Sequence, residues 1–295
     1  MELFTGSGVA LITPFDENGD VNYSRLREIL KFHVINHTDA IIVTGTTGEG
    51  STLSDEEKIS VIEFTVDIIN SRIPVIAGTG SNDTRHAVEF SKRVEKLGVD
   101  GLLVVTPYYN KGNENGIYEH YKAIAEGVKI PVILYNVPSR TGVNLSIPLL
   151  KRLAQIENIT ALKEASGNIS YVAEVAREIP ELDIYSGNDD MVVPVLSLGG
   201  KGVISVSANI IPDISHDMTA SFLKGDVKKA RELQLKYNDL VNALFLETNP
   251  VPVKEAMNFL GYEVGNCRLP LGAMNESNRA RLTDILTAHE VTGWK

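Results

Sequence analysis

Short apolar runs rich in β-favouring residues alternate with amphipathic stretches along this chain. The runs fall at 8–13, 40–44, 74–77, 101–106, 131–135, 159–163, 182–186 and 202–206. Each scarcely alternates between apolar and polar positions, the mark of strands buried on both faces in a parallel sheet covered by helices. In 54–70, Ile59, Ile62, Phe64, Val66 and Ile69 recur at roughly helical spacing, and Ser54 followed by Glu57 forms a capping box. Stretches 84–97 and 169–179 also read as helices, with glycines after Leu97 and Leu198 placed where helices should stop. Eight such repeats predict a closed (β/α)8 TIM barrel. An open, doubly wound sheet fits less well. Gly6-Ser7-Gly8 lacks the third glycine of a dinucleotide loop and is expected to precede the first strand rather than follow it. Further helical patterns at 226–246, 252–260 and 275–289 exceed what a barrel needs. The expected organisation is a catalytic barrel over 1–225 and a C-terminal helical region over 226–295 packed on it.

A chain of 295 residues with 43% hydrophobic residues suits one such barrel. The net charge of −10 argues against a nucleic-acid or anionic-membrane partner, since both need a basic face. No apolar stretch approaches the ~20 residues of a membrane helix. Residues 1–6 lack the charged-then-apolar pattern of a signal peptide. The single cysteine, Cys267, permits neither an intrachain disulfide nor a multi-cysteine metal site. A reducing, cytoplasmic setting is the expectation.

Barrel active sites lie at the C-terminal ends of the strands, which supplies a list of candidates. The sixth run ends at Lys163. Burial disfavours a charged ammonium, and a lysine made neutral can attack a carbonyl to form a Schiff base. A strand-end lysine can instead snorkel its amine to solvent, so its neighbours decide. Thr46-Thr47-Gly48 offers hydroxyls and backbone N–H groups able to cradle a small carboxylate, or simply to cap the next helix. Tyr109 and Tyr135 carry phenols suited to proton transfer, or to packing. Arg140 has the fork for a carboxylate, or faces solvent. Asp189-Asp190 reads as a cap and dipole partner of a following helix. The six histidines are scattered without metal-ligand spacing, so no metal is expected. All the capable residues converge on one rim.

Gly45-Thr46-Thr47-Gly48-Glu49, Tyr135-Asn136-Val137-Pro138-Ser139-Arg140-Thr141-Gly142 and Lys163-Glu164-Ala165-Ser166-Gly167-Asn168 resemble the signatures of dihydrodipicolinate synthases. So do Gly202-Val203-Ile204-Ser205-Val206, Asn249-Pro250-Val251-Pro252-Val253-Lys254 and Arg268-Leu269-Pro270-Leu271, in order along the whole chain. Departures fall at Lys111-Gly112 and in the helices after the second and third strands. The resemblance implies a lyase of lysine and diaminopimelate biosynthesis that condenses pyruvate with L-aspartate-4-semialdehyde. Lys163 would form the imine, with no separate cofactor. Tyr135 would move protons, in a hydroxyl relay with Thr46 and a Tyr109 that enters from a neighbouring subunit. Thr47 and the Ile204 backbone would hold pyruvate, Arg140 the semialdehyde's carboxylate, and Gly187 would line the pocket. A homo-oligomer is implied, a tetramer built from dimers. The lysine motif is shared with N-acetylneuraminate and 2-keto-3-deoxy sugar-acid lyases, which are the alternative reading. A barrel that senses a keto acid without catalysis is the alternative from another class, and a proton relay argues against it. Lys58 and His86 stand where lysine-inhibited relatives often carry histidine and glutamate, so free lysine is expected to inhibit weakly or not at all, with Asp55 partly offsetting the added positive charge.

Overall fold

The computed structural model describes residues 3–293. Eight parallel strands close into a barrel in chain order: β1 (Gly6–Ala10), β2 (Ala40–Val43), β3 (Val75–Gly78), β4 (Gly101–Val105), β5 (Val132–Asn136), β6 (Ile159–Glu164), β7 (Asp183–Ser186) and β8 (Gly202–Ser205). Helices connect them on the outside. Ser54 caps the helix Asp55–Ile69 through the reciprocal capping box with Glu57.

The strands' apolar character on both faces has a direct structural counterpart. Outward residues such as Val132, Leu134 and Leu162 pack under the helices, whereas Ile76, Leu103, Ile133, Ala161 and Ile204 fill the barrel interior. Phe4 and Tyr185 stack inside the barrel at 4.4 Å, and the Tyr185 hydroxyl donates to the Phe4 carbonyl. Side chains alternate faces along a strand. On β6 that rule sends Ala161 and Lys163 inward and Leu162 and Glu164 outward.

Two expectations are corrected here. Gly6-Ser7-Gly8 does not precede β1 but lies within it, paired with β8 at Gly6↔Gly202 and with β2 at Gly8↔Ala40. Its composition reads as loop, yet closing the barrel gives these residues ladder partners on both sides, and pairing overrides local preference. The pattern at 226–246 is two helices, Val227–Lys236 and Asn238–Ala243, separated at Tyr237. An additional helix, Pro212–Leu223, opens on a proline and packs against β1. No helix among the described residues is long and apolar enough to cross a membrane.

The C-terminal helices Val251–Phe259 and Glu276–Ala288 pack on each other. The first is bound to the barrel rim by a buried ion pair, Lys254 Nζ to Glu49 Oε1 at 2.8 Å. Glu49 also accepts from the Arg268 backbone N–H at 2.8 Å, and the Arg268 guanidinium bonds Glu57. Residues after 225 thus grip the turn that follows β2.

Candidate active site

The register of two adjacent strands builds the centre of the site. On β5 and β6, Tyr135 pairs with Lys163 and Asn136 with Glu164. The first pair faces the barrel interior, and Lys163 Nζ sits 4.3 Å from the centroid of the Tyr135 ring. Lys163 is only 6% exposed. Among the described residues, no side chain or carbonyl hydrogen-bonds or ion-pairs with its Nζ. The second pair faces outward and clamps the strands together, Asn136 Nδ2 donating to Glu164 Oε2 at 2.7 Å. Burial pushes the Glu164 carboxyl above its usual range, while bonds from Asn136 and Ser166 oppose that rise. Gly187, after β7, completes the lysine's surroundings. A Cβ there would stand 3.2 Å from Lys163 Cε and 2.6 Å from the Ala165 Cβ, so glycine makes the room the lysine stem occupies.

The turn after β2 folds back tightly on itself. Thr44 and Glu49 both hold left-handed φ values, 55° and 53°. A Cβ on Gly50 would lie 2.3 Å from the Thr44 carbonyl oxygen, so only glycine fits. The Thr13 hydroxyl donates to the Gly48 carbonyl at 2.7 Å, anchoring the turn to the chain after β1. Thr46 emerges facing the cavity. Thr47 is buried behind it, its Oγ1 accepting from Asn249 Nδ2 at 3.0 Å.

A cavity of about 370 Å³ opens at the rim, lined by Thr46, Tyr135, Arg140, Tyr108, Lys58 and His86 among others. Arg140 rides on the short helix Pro138–Thr141, started by proline and ended by Gly142 at φ 69°. Its Nη2 donates to the Asn249 carbonyl at 3.0 Å, leaving the rest of the fork available.

The structure therefore gathers Lys163, Tyr135, Thr46, Arg140 and Gly187 at one end of the barrel. Thr47 lies directly behind Thr46, and Ile204 is fully buried in the interior. Tyr109 is the exception. It is 89% exposed with φ 71°, and its hydroxyl reaches neither Thr46 nor Tyr135 within the described chain. Tyr108 lines the cavity instead. Asp189 departs from its expected role. Rather than capping a helix, its buried carboxylate accepts from the backbone N–H of Val206 and Ser207, at 2.9 and 3.2 Å, tying β7 to the exit of β8. Sequence reading missed Asn249, Glu49 and Lys254 as parts of the rim. Their motifs were visible, but not their partners. Among the described residues no three His, Cys, Asp or Glu side chains are gathered as a metal site would need.

At the start of the helix Asp55–Ile69, beside the cavity, Asp55 already bonds His86 Nε2 at 2.7 Å and stands 3.6 Å from Lys58 Nζ. Its charge is spoken for inside the chain. Lys58 in turn lies 5.2 Å from the Phe90 ring centroid.

A closed (β/α)8 barrel with an unpaired buried lysine beside a tyrosine at its C-terminal rim defines a class: barrels equipped to hold a keto acid as an imine. The chain belongs to the dihydrodipicolinate synthetase family, whose model matches residues 3–289. It is 58% identical over 277 residues to the 4-hydroxy-tetrahydrodipicolinate synthase of Acetivibrio thermocellus, covering 94% of each chain. To the enzyme of the same name from Caldicellulosiruptor bescii it is 56% identical over 292 residues, covering 99% of each. The crystal structure of dihydrodipicolinate synthase from Aquifex aeolicus superposes with a TM-score of 0.96 at 44% identity, over 99% of this chain and 100% of that one.

Proposed function

We propose that this chain condenses pyruvate with L-aspartate-4-semialdehyde to 4-hydroxy-tetrahydrodipicolinate, through an imine on Lys163. The observation that carries the reading is a buried lysine with no counter-charge, set against a tyrosine in a cavity that also holds an arginine. An amine held by no ion pair or hydrogen bond is free to reach a ketone carbon, which is what imine formation requires. Lys163 Nζ adds to the pyruvate ketone and water leaves, giving an iminium. That electron-poor centre lets the methyl group release a proton. The resulting enamine carbon attacks the semialdehyde's aldehyde, and the semialdehyde's own amine then displaces lysine as the ring closes. The covalent imine is the electron sink, and no separate cofactor takes part.

Tyr135, over the lysine, carries protons during imine formation and cyclisation, with Thr46 beside it. Thr47 and the Ile204 backbone hold pyruvate, and Arg140 takes the semialdehyde's carboxylate in its fork. Tyr109 supports the reading of a homo-oligomer, a tetramer built from dimers. A tyrosine held in a left-handed conformation and almost wholly in solvent gains a use when a second copy receives it. The acidic surface and lone cysteine support a cytoplasmic setting. Product analysis tests the reaction: pyruvate plus the semialdehyde should give the cyclic product, and pyruvate plus N-acetylmannosamine should give none. The opposite pattern would transfer the chain to the sugar-acid lyases.

A further inference from the structure

Two substrate grips converge on one residue outside the barrel. Asn249 is 6% exposed and begins the segment that leads into the C-terminal helix Val251–Phe259. Its side-chain Nδ2 donates to Thr47 Oγ1 at 3.0 Å, and its backbone carbonyl accepts from Arg140 Nη2 at 3.0 Å. The direction of the first bond matters. Because Thr47 accepts from Asn249, its own proton is free to be donated, which is what a carboxylate oxygen requires. The second bond occupies one donor of the guanidinium and sets the plane in which the others point.

The other end of the amide, Oδ1, is buried without a hydrogen-bond partner among the described residues. A half-satisfied buried amide is a poor choice for packing alone, since an apolar side chain of similar shape would leave nothing unpaired. The residue's two bonds to the rim are the compensation visible in the structure.

We propose that Asn249 is a positioning residue for both substrates, orienting Thr47 toward pyruvate through its side chain and Arg140 toward the semialdehyde through its carbonyl. The C-terminal region is thereby part of the substrate site, and the side-chain bond to Thr47 also holds the backbone carbonyl where Arg140 meets it, which couples the two grips. The proposal rests on the roles assigned above to Thr47 and Arg140. Turnover by the unaltered enzyme tests those roles' reaction, whereas the following mutant cycle tests Asn249.

Asn249→Ala should raise KM for each substrate about tenfold, the effect of one net hydrogen bond, with kcat changed less than about threefold. In a Thr47→Val background the anchor is already gone, so Asn249→Ala should raise neither KM further. In an Arg140→Ala background it should still raise the pyruvate KM but no longer the semialdehyde KM. A general loss of structure would persist in both backgrounds and lower the melting temperature in parallel. Either that result, or KM values within about twofold of the unaltered enzyme, overturns the proposal. Thr47→Val provides a reading from the other end should Asn249→Ala fold poorly. It should raise the semialdehyde KM as well, although Thr47 is on the pyruvate side, and an unchanged semialdehyde KM overturns the coupling.

Discussion

Among the described residues two lysines are buried, and each lies over an aromatic ring. Lys163 Nζ is 4.3 Å from the Tyr135 centroid and Lys254 Nζ is 4.1 Å from that of Phe15. Their exposures are similar, 6% and 2%. Their partners differ completely. Lys254 meets the Glu49 carboxylate at 2.8 Å and the Asn266 carbonyl at 3.1 Å, so its charge is matched inside the protein. Burial still pulls its pKa down, with Glu49 opposing. Among the described residues Lys163 has neither kind of partner, and Tyr135, over which it lies, lines the rim cavity. Burial alone therefore does not make a lysine a nucleophile. A buried lysine given a carboxylate becomes a strut, and one denied a carboxylate, beside a phenol, becomes a reagent.

Replacing each lysine by methionine should have opposite consequences. Lys163→Met should reduce turnover to background while the melting temperature holds or rises, since an apolar stem replaces an unpaired amine. Retained turnover would remove the chemical role from Lys163. Tyr135→Phe keeps the ring above the lysine and deletes only the hydroxyl. A kcat loss of ~10²–10⁴-fold is expected in steady-state assays, the usual range for general acid–base groups. A kcat near that of the unaltered enzyme would make Tyr135 a packing residue. Lys254→Met strands the Glu49 carboxylate in the interior and should cost about 3–5 kcal/mol in denaturant unfolding. A neutral outcome there would mean that Glu49 finds solvent or a proton, and that the strut is dispensable.

His33 extends the comparison to a buried base with no chemistry to perform. It is fully buried, its Nδ1 lies 2.9 Å from the Thr38 hydroxyl, and burial pulls its pKa from 6.5 down to about 3. Between those values the unfolded chain binds a proton that the folded chain refuses. Its contribution to stability is thus present above pH 6.5 and is lost as pH falls toward 3. His33→Gln should flatten the decline of the unfolding midpoint across that window. An unchanged pH profile would show that His33 takes up its proton in the folded protein.

The smallest expected effect is none at all. With Asp55 engaged by His86 and Lys58, the cavity wall offers a second amine no free carboxylate. Turnover should withstand added lysine at both saturating and low pyruvate. Half-inhibition below roughly 1 mM, an affinity of about 4 kcal/mol, would show that Asp55 exchanges its partners for the ligand.

The contrast between the lysines also marks what the sequence could reveal. Lys163 was legible because a charged residue closes an apolar strand, and the register with Tyr135 follows from neighbouring strands in a barrel. All eight strands were legible as short apolar runs, except that Gly6 and Ser7 fell before the first run yet pair with β8. Lys254 was not legible as a strut. Its carboxylate lies 205 positions away, and Asn249 is 202 positions from Thr47. Periodicity reports which face a residue occupies, but not which distant turn that face meets. Asp189 was misread likewise, because its partners, Val206 and Ser207, belong to the next strand's exit.

Borohydride reduction in the presence of pyruvate, followed by peptide mass mapping, reads out which lysine carries the imine. Reduction traps an imine as a stable amine on whichever lysine formed it. Inactivation should require pyruvate, with one adduct per chain on Lys163 and none on Lys254. An adduct on another lysine, or full activity after reduction with no adduct, would mean that Lys163 does not form the imine.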